Sequence, residues 1–408
     1  MEKDNHARDT CLLCGEKLPG KALLEFEGMP ASAQNIPAAG ELEGERGIPL
    51  KLYQCECCGL VQFDCQPVDY YRDVIRAGGY STTMAELRRR QYRHLIETYH
   101  LEGKKILEAG CGQGEFLAVL KEFPVRAVGV EHKKSLAEAA VAKGLEVSQG
   151  FAETADTLLG GQGPYDAFLS FNFLEHQPRP GVMLECIRNN LAEGGVGLIT
   201  VPSLEYILEH GSYYEFLRDH IAYYRFETLR KLAELHGFAV LEEELVNRDT
   251  CAVILRKVEE GGEKGREESV KKAWLRDGEI RKEDFSALAA SQVQIGKEME
   301  KLACSLKEKG ETLALWGASH QGFTLAATTC LGEAAEYMID SAPFKQGRFA
   351  PASHLPIVPP DYFHQHPVEQ IVIVAPGYTK EIAGIIRSRF GERVRILAMR
   401  SDHLEEVR

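Results

Sequence analysis

The sequence predicts an α/β protein in which a small cysteine-rich module precedes two α/β units with doubly wound sheets. Three observations support this fold class. From Lys104 onward, apolar strand-like runs alternate with helical stretches, and a second alternation begins near Thr312. Six of the eleven cysteines fall in the first 65 residues. Regular alternation of strands and helices is typical of parallel sheets that are covered by helices on both faces.

Composition limits the possible partners of the chain. It has 408 residues, 44% of them hydrophobic and 27% charged, which is ordinary for a globular protein of two or three domains. The net charge of −13 disfavours nucleic acid as a partner. No apolar run approaches the roughly 20 residues that span a bilayer, and the first ten residues are polar. We therefore expect a cytoplasmic protein with neither nucleic-acid nor membrane partners.

Two C-x-x-C pairs in the N-terminal segment predict a structural zinc site. The expected ligands are the cysteines of these pairs: Cys11, Cys14, Cys55 and Cys58. A glycine follows each pair and permits the tight turn of a zinc knuckle. Cys57 is an alternative to Cys58, but it departs from the knuckle spacing. Free thiols are the other alternative. Four filled positions would leave no open site for catalysis at the metal.

The segments between the motifs give the predicted domain organisation. Residues 66–103 are expected to be mostly helical, and residues 259–272 form either a linker or the solvated start of a helix. A long amphipathic helix is expected to follow to about Gly310. The predicted domains are a zinc module over 1–75, an α/β core with a helical lead-in over 76–258, and a second α/β domain over 259–408.

The stretch KKILEAGCGQGEFLAVL, residues 104–120, has the pattern of a strand, a glycine turn and a helix. Gly110, Gly112 and Gly114 form the turn, and Glu115 occupies the place of the third glycine in a dinucleotide-binding loop. A carboxylate at a helix start repels a pyrophosphate but tolerates a cationic ligand. The loop therefore favours S-adenosylmethionine (SAM) over NAD.

Further candidate cofactor ligands lie where the predicted strands end. Glu108 belongs to the first strand of this core, and Glu131 ends the second, where an acid can bind two ribose hydroxyls. Asn172 and Leu174 follow the third strand, in "FNFLEH", and would flank the cofactor. Ligands of open α/β sheets bind at this edge.

Together, the glycine loop, the acid at a strand end and "FNFLEH" resemble the class I SAM-dependent methyltransferases, which have a Rossmann-like sheet. The whole chain further resembles the sugar C-methyltransferases of deoxysugar biosynthesis, which act on nucleotide-linked 4-keto sugars. This second resemblance rests on the N-terminal "CGLVQ" and on three C-terminal stretches, "WGASHQGFTLAA", "IDSAPFKQGRFAPASHLPI" and "IVIVAPGYTKEI". It covers nearly the entire chain and implies a nucleotide-linked sugar as the small-molecule substrate.

The resemblance implies that a histidine removes the acidic proton next to the ketone. The matching segment here is "GSYYEFLRDHIAYY", which puts His220 in the position of the base, with Asp219 beside it. Adjacent residues point apart, so Asp219 need not orient His220. The sequence departs from the family pattern just before this pair, at Leu217 and Arg218. Arg218 is expected to contact a carboxylate or phosphate of the substrate, and Tyr223 is a further candidate for substrate binding.

Other residues offer alternatives or additions to this site. His176, in "LEH", is the rival base, and a structural role for it is also open. In the C-terminal unit, the turn from Gly317 to Gly322 lacks the G-x-G-x-x-G pattern of dinucleotide sites. Lys345 and Arg348 are better placed to meet a pyrophosphate; a solvated structural loop is the alternative.

Two other functions stay open at this stage. One is O- or N-methylation of another small metabolite on the same scaffold, which would need no histidine base at carbon. The other is a zinc-bearing binding protein with a degenerate methyltransferase core, against which the complete glycine and Glu131 set argues.

Overall fold

The computed structural model describes residues 7–73, 82–258, 271, 274 and 282–407. The chain divides into two compact units, each built from three separate stretches. The first unit comprises residues 1–21, 53–204 and 221–282, and the second comprises 22–52, 205–220 and 283–408. The predicted boundaries at 75 and 258 did not anticipate that the stretches 22–52 and 205–220 group with the C-terminal residues.

The strands of the described chain have the following bounds: β1 Leu24–Met29, β2 Ile48–Gln54, β3 Val61–Phe63, β4 Lys105–Ala109, β5 Arg126–Glu131, β6 Val147–Gln149, β7 Tyr165–Phe171, β8 Leu191–Pro202, β9 Ala222–Tyr223, β10 Phe238–Val246, β11 Thr250–Lys257, β12 Leu313–Trp316, β13 Tyr337–Ile339, β14 Ile357–Val358, β15 Gln370–Ile373, β16 Arg395–Arg400 and β17 His403–Glu406. The helices are α1 Thr82–Thr98, α2 Glu115–Leu120, α3 Lys134–Ala142, α4 Pro180–Asn190, α5 Leu204–His210, α6 Phe226–Leu235, α7 Ser286–Lys309, α8 His320–Thr328, α9 Leu331–Ala334 and α10 Thr379–Phe390.

The first unit contains a seven-stranded sheet in the order β10-β11-β8-β7-β4-β5-β6. The five strands from β8 to β6 are parallel; β11 pairs antiparallel with β8, and β10 pairs antiparallel with β11. β4 lies between β5 and β7, so the chain winds in opposite directions on its two sides. Ligands of such sheets bind at the carboxyl end of the strand where the order reverses. The end of β4 is therefore the expected binding position. In the same unit, β3 pairs with β9.

The second unit has its own six-stranded sheet in the order β14-β13-β12-β15-β16-β17, parallel except for β17. β1 pairs antiparallel with β2. The predicted long amphipathic helix is α7, whose buried residues recur every three or four positions. Its last residue is Lys309, and the next residue, Gly310, has a left-handed φ of 66° that terminates the helix. The early stretch of this unit contacts its C-terminal loops, since Arg348 donates to the carbonyl of Ile36 and Glu45 accepts from His354.

The predicted helical lead-in is shorter than expected. α1 begins at Thr82, whereas residues 66–73 form turns and irregular backbone, and 74–81 lie outside the described residues. The predicted linker at 259–272 also lies outside them, apart from Lys271. None of the described helices combines the length and the apolar content that crossing a bilayer requires.

Candidate functional site

The loop between β4 and α2 holds three glycines at the carboxyl edge of the first unit's sheet. Gly110, Gly112 and Gly114 have φ angles of 77°, 58° and 78°, in the left-handed region where residues with a Cβ are strained. A Cβ added at Gly114 would lie 2.2 Å from Cδ1 of Leu145. The backbone path therefore requires glycine, and glycine allows a ligand to approach the main chain closely.

Glu131 ends β5 and is fully buried. Its Oε2 accepts the N–H of Gly112 at 2.9 Å, and its Oε1 accepts the N–H of Lys133 at 2.8 Å. Burial raises the pKa of Glu131, and these two backbone donors oppose the rise. A carboxylate has about four lone-pair sites, so acceptor capacity remains for the hydroxyls of a ligand.

The other predicted cofactor ligands lie in or just after β4 and β7. Asn172 directly follows β7 with a φ of 48°, and its Oδ1 accepts the hydroxyl of Thr200 at 2.8 Å. Left-handed residues other than glycine are uncommon and cluster at functional sites. Leu174 opens the short 3-10 turn that ends at His176, and it is buried. Glu108 is buried in β4.

An aromatic cluster that was not predicted from the sequence lies after β6. The ring centroid of Phe151 is 6.0 Å from that of Phe173, 5.9 Å from His132 and 6.0 Å from Tyr71. His132 directly follows Glu131, so the cluster adjoins the acid at the end of β5. Flat apolar rings suit a purine base. The only signal in the sequence was a phenylalanine shortly after a strand end, which is too common to identify a site.

His176, the rival base, is 3% exposed. Its Nε2 lies 4.0 Å from Oε1 of Glu175, which is also buried. Burial raises the pKa of Glu175 to about 8, against a smaller opposing effect of its own backbone N–H. A carboxyl group that is protonated at neutral pH carries no charge. Glu175 therefore gives His176 little electrostatic support as a base.

The four predicted zinc ligands come together in the first unit. The Sγ atoms of Cys11, Cys14, Cys55 and Cys58 lie within 4.8 Å of one another, and all four side chains are buried. The closest sulfur pairs, Cys11–Cys58 and Cys14–Cys55, are 3.5 Å apart. Zn–S bonds of about 2.3 Å in a tetrahedron separate the sulfurs by about 3.8 Å, so the cluster fits a zinc ion. Cys57 is only partly buried and lies outside the cluster.

Both cysteine pairs have the backbone of a knuckle. Gly15 and Gly59 return their N–H groups to the carbonyls of Cys11 and Cys55, at 3.0 and 2.9 Å. Hydrogen bonds from the neighbouring thiols, that of Cys11 first, lower the pKa of Cys55 and favour its thiolate. Such bonds stabilise the charge that a metal ligand needs.

Tyr223, a predicted substrate contact, lies in β9 of the first unit. It is 2% exposed, and its ring meets that of Phe63 edge-on at 5.7 Å. The next residue, Tyr224, is fully buried, and burial together with the nearby Glu175 raises its pKa well above the ordinary value. The substrate contact of Tyr223 stays a prediction.

Arg218, Asp219 and His220 belong to the second unit, and the peptide bond after His220 leads into the first. Asp219 is 1% exposed, and its Oδ1 accepts the N–H of Ala33 at 2.8 Å. The ring of His220 lies 6.5 Å, centroid to centroid, from that of His320. The base role of His220, the substrate contact of Arg218 and the catalytic role of Asp219 stay predictions.

The two residues predicted to meet a pyrophosphate have partners inside the second unit. Lys345 is buried, and its Nζ donates to the carbonyl of Ala318 at 2.7 Å and to Oδ2 of Asp340 at 3.2 Å. Arg348 donates from Nη1 to the carbonyl of Ile36 at 2.7 Å. Lys345 therefore has a structural role at the end of β13. The pyrophosphate contact stays a prediction, for which the further N–H groups of Arg348 are the better donors.

Comparison with known proteins finds two family matches, one after the other along the chain. Residues 84–243 match a methyltransferase domain, and residues 253–394 match a C-methyltransferase C-terminal domain. The C-methyltransferase NovU of Streptomyces niveus is 22% identical over 386 residues, covering 92% of this chain and 91% of that protein. A ubiquinone biosynthesis O-methyltransferase of Caulobacter sp. (strain K31) is 36% identical over 103 residues, but these are 24% of this chain and 40% of that enzyme.

Among solved structures, the PH0226 protein of Pyrococcus horikoshii OT3 matches 46% of this chain and 98% of its own, with 17% identity and a TM-score of 0.37. The seven-stranded sheet, with its glycine loop at the reversal point and the first family match, defines a class I SAM-dependent methyltransferase. The second match adds a C-methyltransferase C-terminal domain after this methyltransferase domain.

Proposed function

We propose that this enzyme transfers a methyl group from SAM to the carbon next to the ketone of a nucleotide-linked sugar. One observation carries the proposal: the similarity to the C-methyltransferase NovU extends over 92% of the chain. The match to the O-methyltransferase covers only 24% of the chain. A shared cofactor core explains a short match, whereas a match over the whole chain also includes the parts that select the acceptor.

The cofactor residues fit the shape and charge of SAM, which supplies the methyl group when bound. Glu131 retains acceptor capacity for the ribose hydroxyls, and the left-handed glycines allow close approach along the loop. The rings around Phe151 offer a surface for adenine. Asn172 and Leu174 flank the reacting end of the site. The four cysteines would hold a structural zinc with no free position.

In the proposed reaction, His220 removes the proton from the carbon next to the ketone and leaves an enolate that is methylated at carbon. Histidine suits this step because its ordinary pKa lies near the working pH. Asp219 has a separate part, since its buried carboxylate fixes this segment to the backbone of Ala33. We therefore assign Asp219 to holding the segment that presents His220, with no direct proton transfer.

The test is methyl transfer and hydrogen exchange in deuterated water, followed by mass spectrometry with SAM and a panel of nucleotide-linked 4-keto sugars. The wild type should methylate one of these sugars and exchange deuterium at the same carbon. His220→Asn should lose both activities by about 100- to 10,000-fold and retain its affinity for SAM, because loss of a general base affects the chemical step. His236→Asn is a matched control, since His236 lies in the first unit and bonds Glu185.

The outcome separates the candidate functions. An enzyme that methylates oxygen or nitrogen has no reason to exchange a carbon-bound proton. Transfer to oxygen or nitrogen without exchange in the wild type would replace this proposal with the O- or N-methyltransferase. Exchange at the wild-type rate in His220→Asn would move the base to another residue, with His176 the next to test.

A further inference from the structure

A recess in the second unit contains charged and polar groups that the proposed reaction does not use. It opens to solvent, and Leu217 and Phe323 form part of its apolar wall. Arg218 and His320 line it as well. Leu217 and Arg218 are the positions at which the sequence departs from the family pattern. The recess is therefore a place where this chain can differ from its relatives in the group that it binds.

Arg218 brings a positive charge to the recess. Its Nη1 is buried, and the described residues offer it no hydrogen-bond acceptor. The adjacent carboxylate, Asp219, accepts the N–H of Ala33 with its Oδ1. A buried donor without an acceptor is costly, and a charged one more so. An anion in the recess would supply the missing acceptor, and a guanidinium suits an oxyanion because its N–H groups bind two oxygens at once.

His320 provides a second group of fixed orientation. Its Nε2 is 3.1 Å from Oε2 of Glu215, and the other oxygen of Glu215 accepts from Gln321 at 2.6 Å. With Nε2–H donated to the carboxylate, Nδ1 is the ring atom that is left for a ligand, and it donates when the imidazole is protonated.

We propose that this recess binds an oxyanion of the acceptor molecule, a carboxylate or a phosphate, through the guanidinium of Arg218 and the imidazole of His320. The assignment of the oxyanion to the acceptor rests on the proposed function. The binding of a free anion to the recess is independent of that function. The acceptor would then be a keto sugar that is held through an acidic group, in addition to the contacts of its sugar ring.

Calorimetric titration of the full-length protein with inorganic phosphate and, separately, with galacturonate tests the site. Wild-type protein should bind at least one of the two probes, and the probe that it prefers identifies phosphate or carboxylate as the source. Arg218→Leu should weaken that binding by about 10- to 100-fold, as expected for lost charged hydrogen bonds. His320→Gln should weaken it less. Arg393→Leu, which removes an exposed arginine of the same unit, should leave it unchanged.

Failure of wild-type protein to bind either probe would overturn the proposal, as would equal binding by Arg218→Leu. If Arg218→Leu does not fold, Arg218→Lys keeps the charge without the planar fork and should still weaken binding severalfold. The proposed function fails in a different way. In that case no keto sugar exchanges deuterium at carbon, while binding of phosphate or galacturonate to the recess is unaffected.

Discussion

The two units share one arrangement of strand, loop and helix, followed by an acid at the end of the next strand, but the two acids have different partners. In the first, β4 leads through the glycine loop into α2, and β5 then ends at Glu131. In the second, β12 leads through Gly317 into α8, and Asp340 follows β13. In both, the acid accepts an N–H of the loop: Gly112 donates to Glu131, and Ala318 donates to Asp340, each at 2.9 Å. The backbone pattern alone would give both loops the same ligand.

The partners of the two acids differ. Among the described residues, Glu131 accepts only from backbone N–H groups, whereas Asp340 also pairs with the buried ammonium of Lys345 at 3.2 Å. The charge of Asp340 is therefore neutralised within its own unit, and the charge of Glu131 remains available to the hydroxyls of a ligand. Whether the acid at a strand end can bind a ligand depends on the cations around it as well as on the topology.

The largest expected effect concerns the four-cysteine cluster, which is a feature of the first unit. We expect one zinc per chain, and Cys55→Ser should abolish it. Structural zinc contributes about 10–16 kcal/mol of binding free energy in small zinc domains, so the N-terminal segment should unfold locally. Elemental analysis measures the metal, and hydrogen exchange should become fast around β3 but not in β12. Cys57→Ser is the matched control and should retain its zinc; loss of zinc there would make Cys57 a ligand.

The next effect tests whether Lys345 neutralises Asp340, the acid of the second unit. Lys345→Met removes one partner of a buried ion pair and should lower the free energy of unfolding by about 3–5 kcal/mol. Urea denaturation measures this change. The double variant with Asp340→Asn should recover much of the loss, because no unpaired charge is then buried. A loss below about 1 kcal/mol in Lys345→Met would mean that the pair is effectively solvated and that Lys345 is available to a phosphate.

A smaller effect tests Glu131, the acid at the end of β5 in the first unit. Glu131→Ala should weaken SAM binding by about 1–3 kcal/mol, as calorimetry would measure, since a charged hydrogen bond to the ligand is lost. Glu131→Gln keeps an acceptor for the N–H of Gly112 and should lie between the wild type and the alanine variant. Asp340→Asn should bind SAM normally. Wild-type affinity in Glu131→Ala would remove this residue from the ribose site.

The last effect is a pH dependence in the first unit, small for each pH unit. Burial raises the pKa of Glu175 to about 8, so above its unfolded-state value the unfolded chain releases a proton that the folded chain keeps. Stability should therefore fall as the pH rises from about 4.5 to about 8, by at most about 1.4 kcal/mol per pH unit. Glu175→Gln should flatten this slope in urea unfolding between pH 5 and 8. An identical slope in the variant would assign the dependence to other groups.

The sequence was most informative where residue identity dictates local geometry. The glycine loop, the strand ending at Glu131 and the cysteine knuckles all follow from short spacings, and the structure has them. The features that could not be predicted from the sequence depend on contacts between residues that are far apart in the chain. The partner of Lys345, the recess that joins Arg218 to His320 and the rings around Phe151 involve ordinary residues whose neighbours are set by the whole fold. Residues 22–52 grouped with the C-terminal residues for the same reason.

The interleaving of the units has a consequence for synthesis on the ribosome. Ile36, Pro37 and Glu45 receive hydrogen bonds from residues 348–354, which are translated 307 to 312 residues later. At about 5–20 residues per second, the early stretch emerges roughly 15 to 60 s before those partners exist. During that interval β1 and β2 can pair with each other, but their later partners do not yet exist. A ribosome that stops before residue 348 therefore releases a chain that contains every stretch of the first unit and an incomplete second unit.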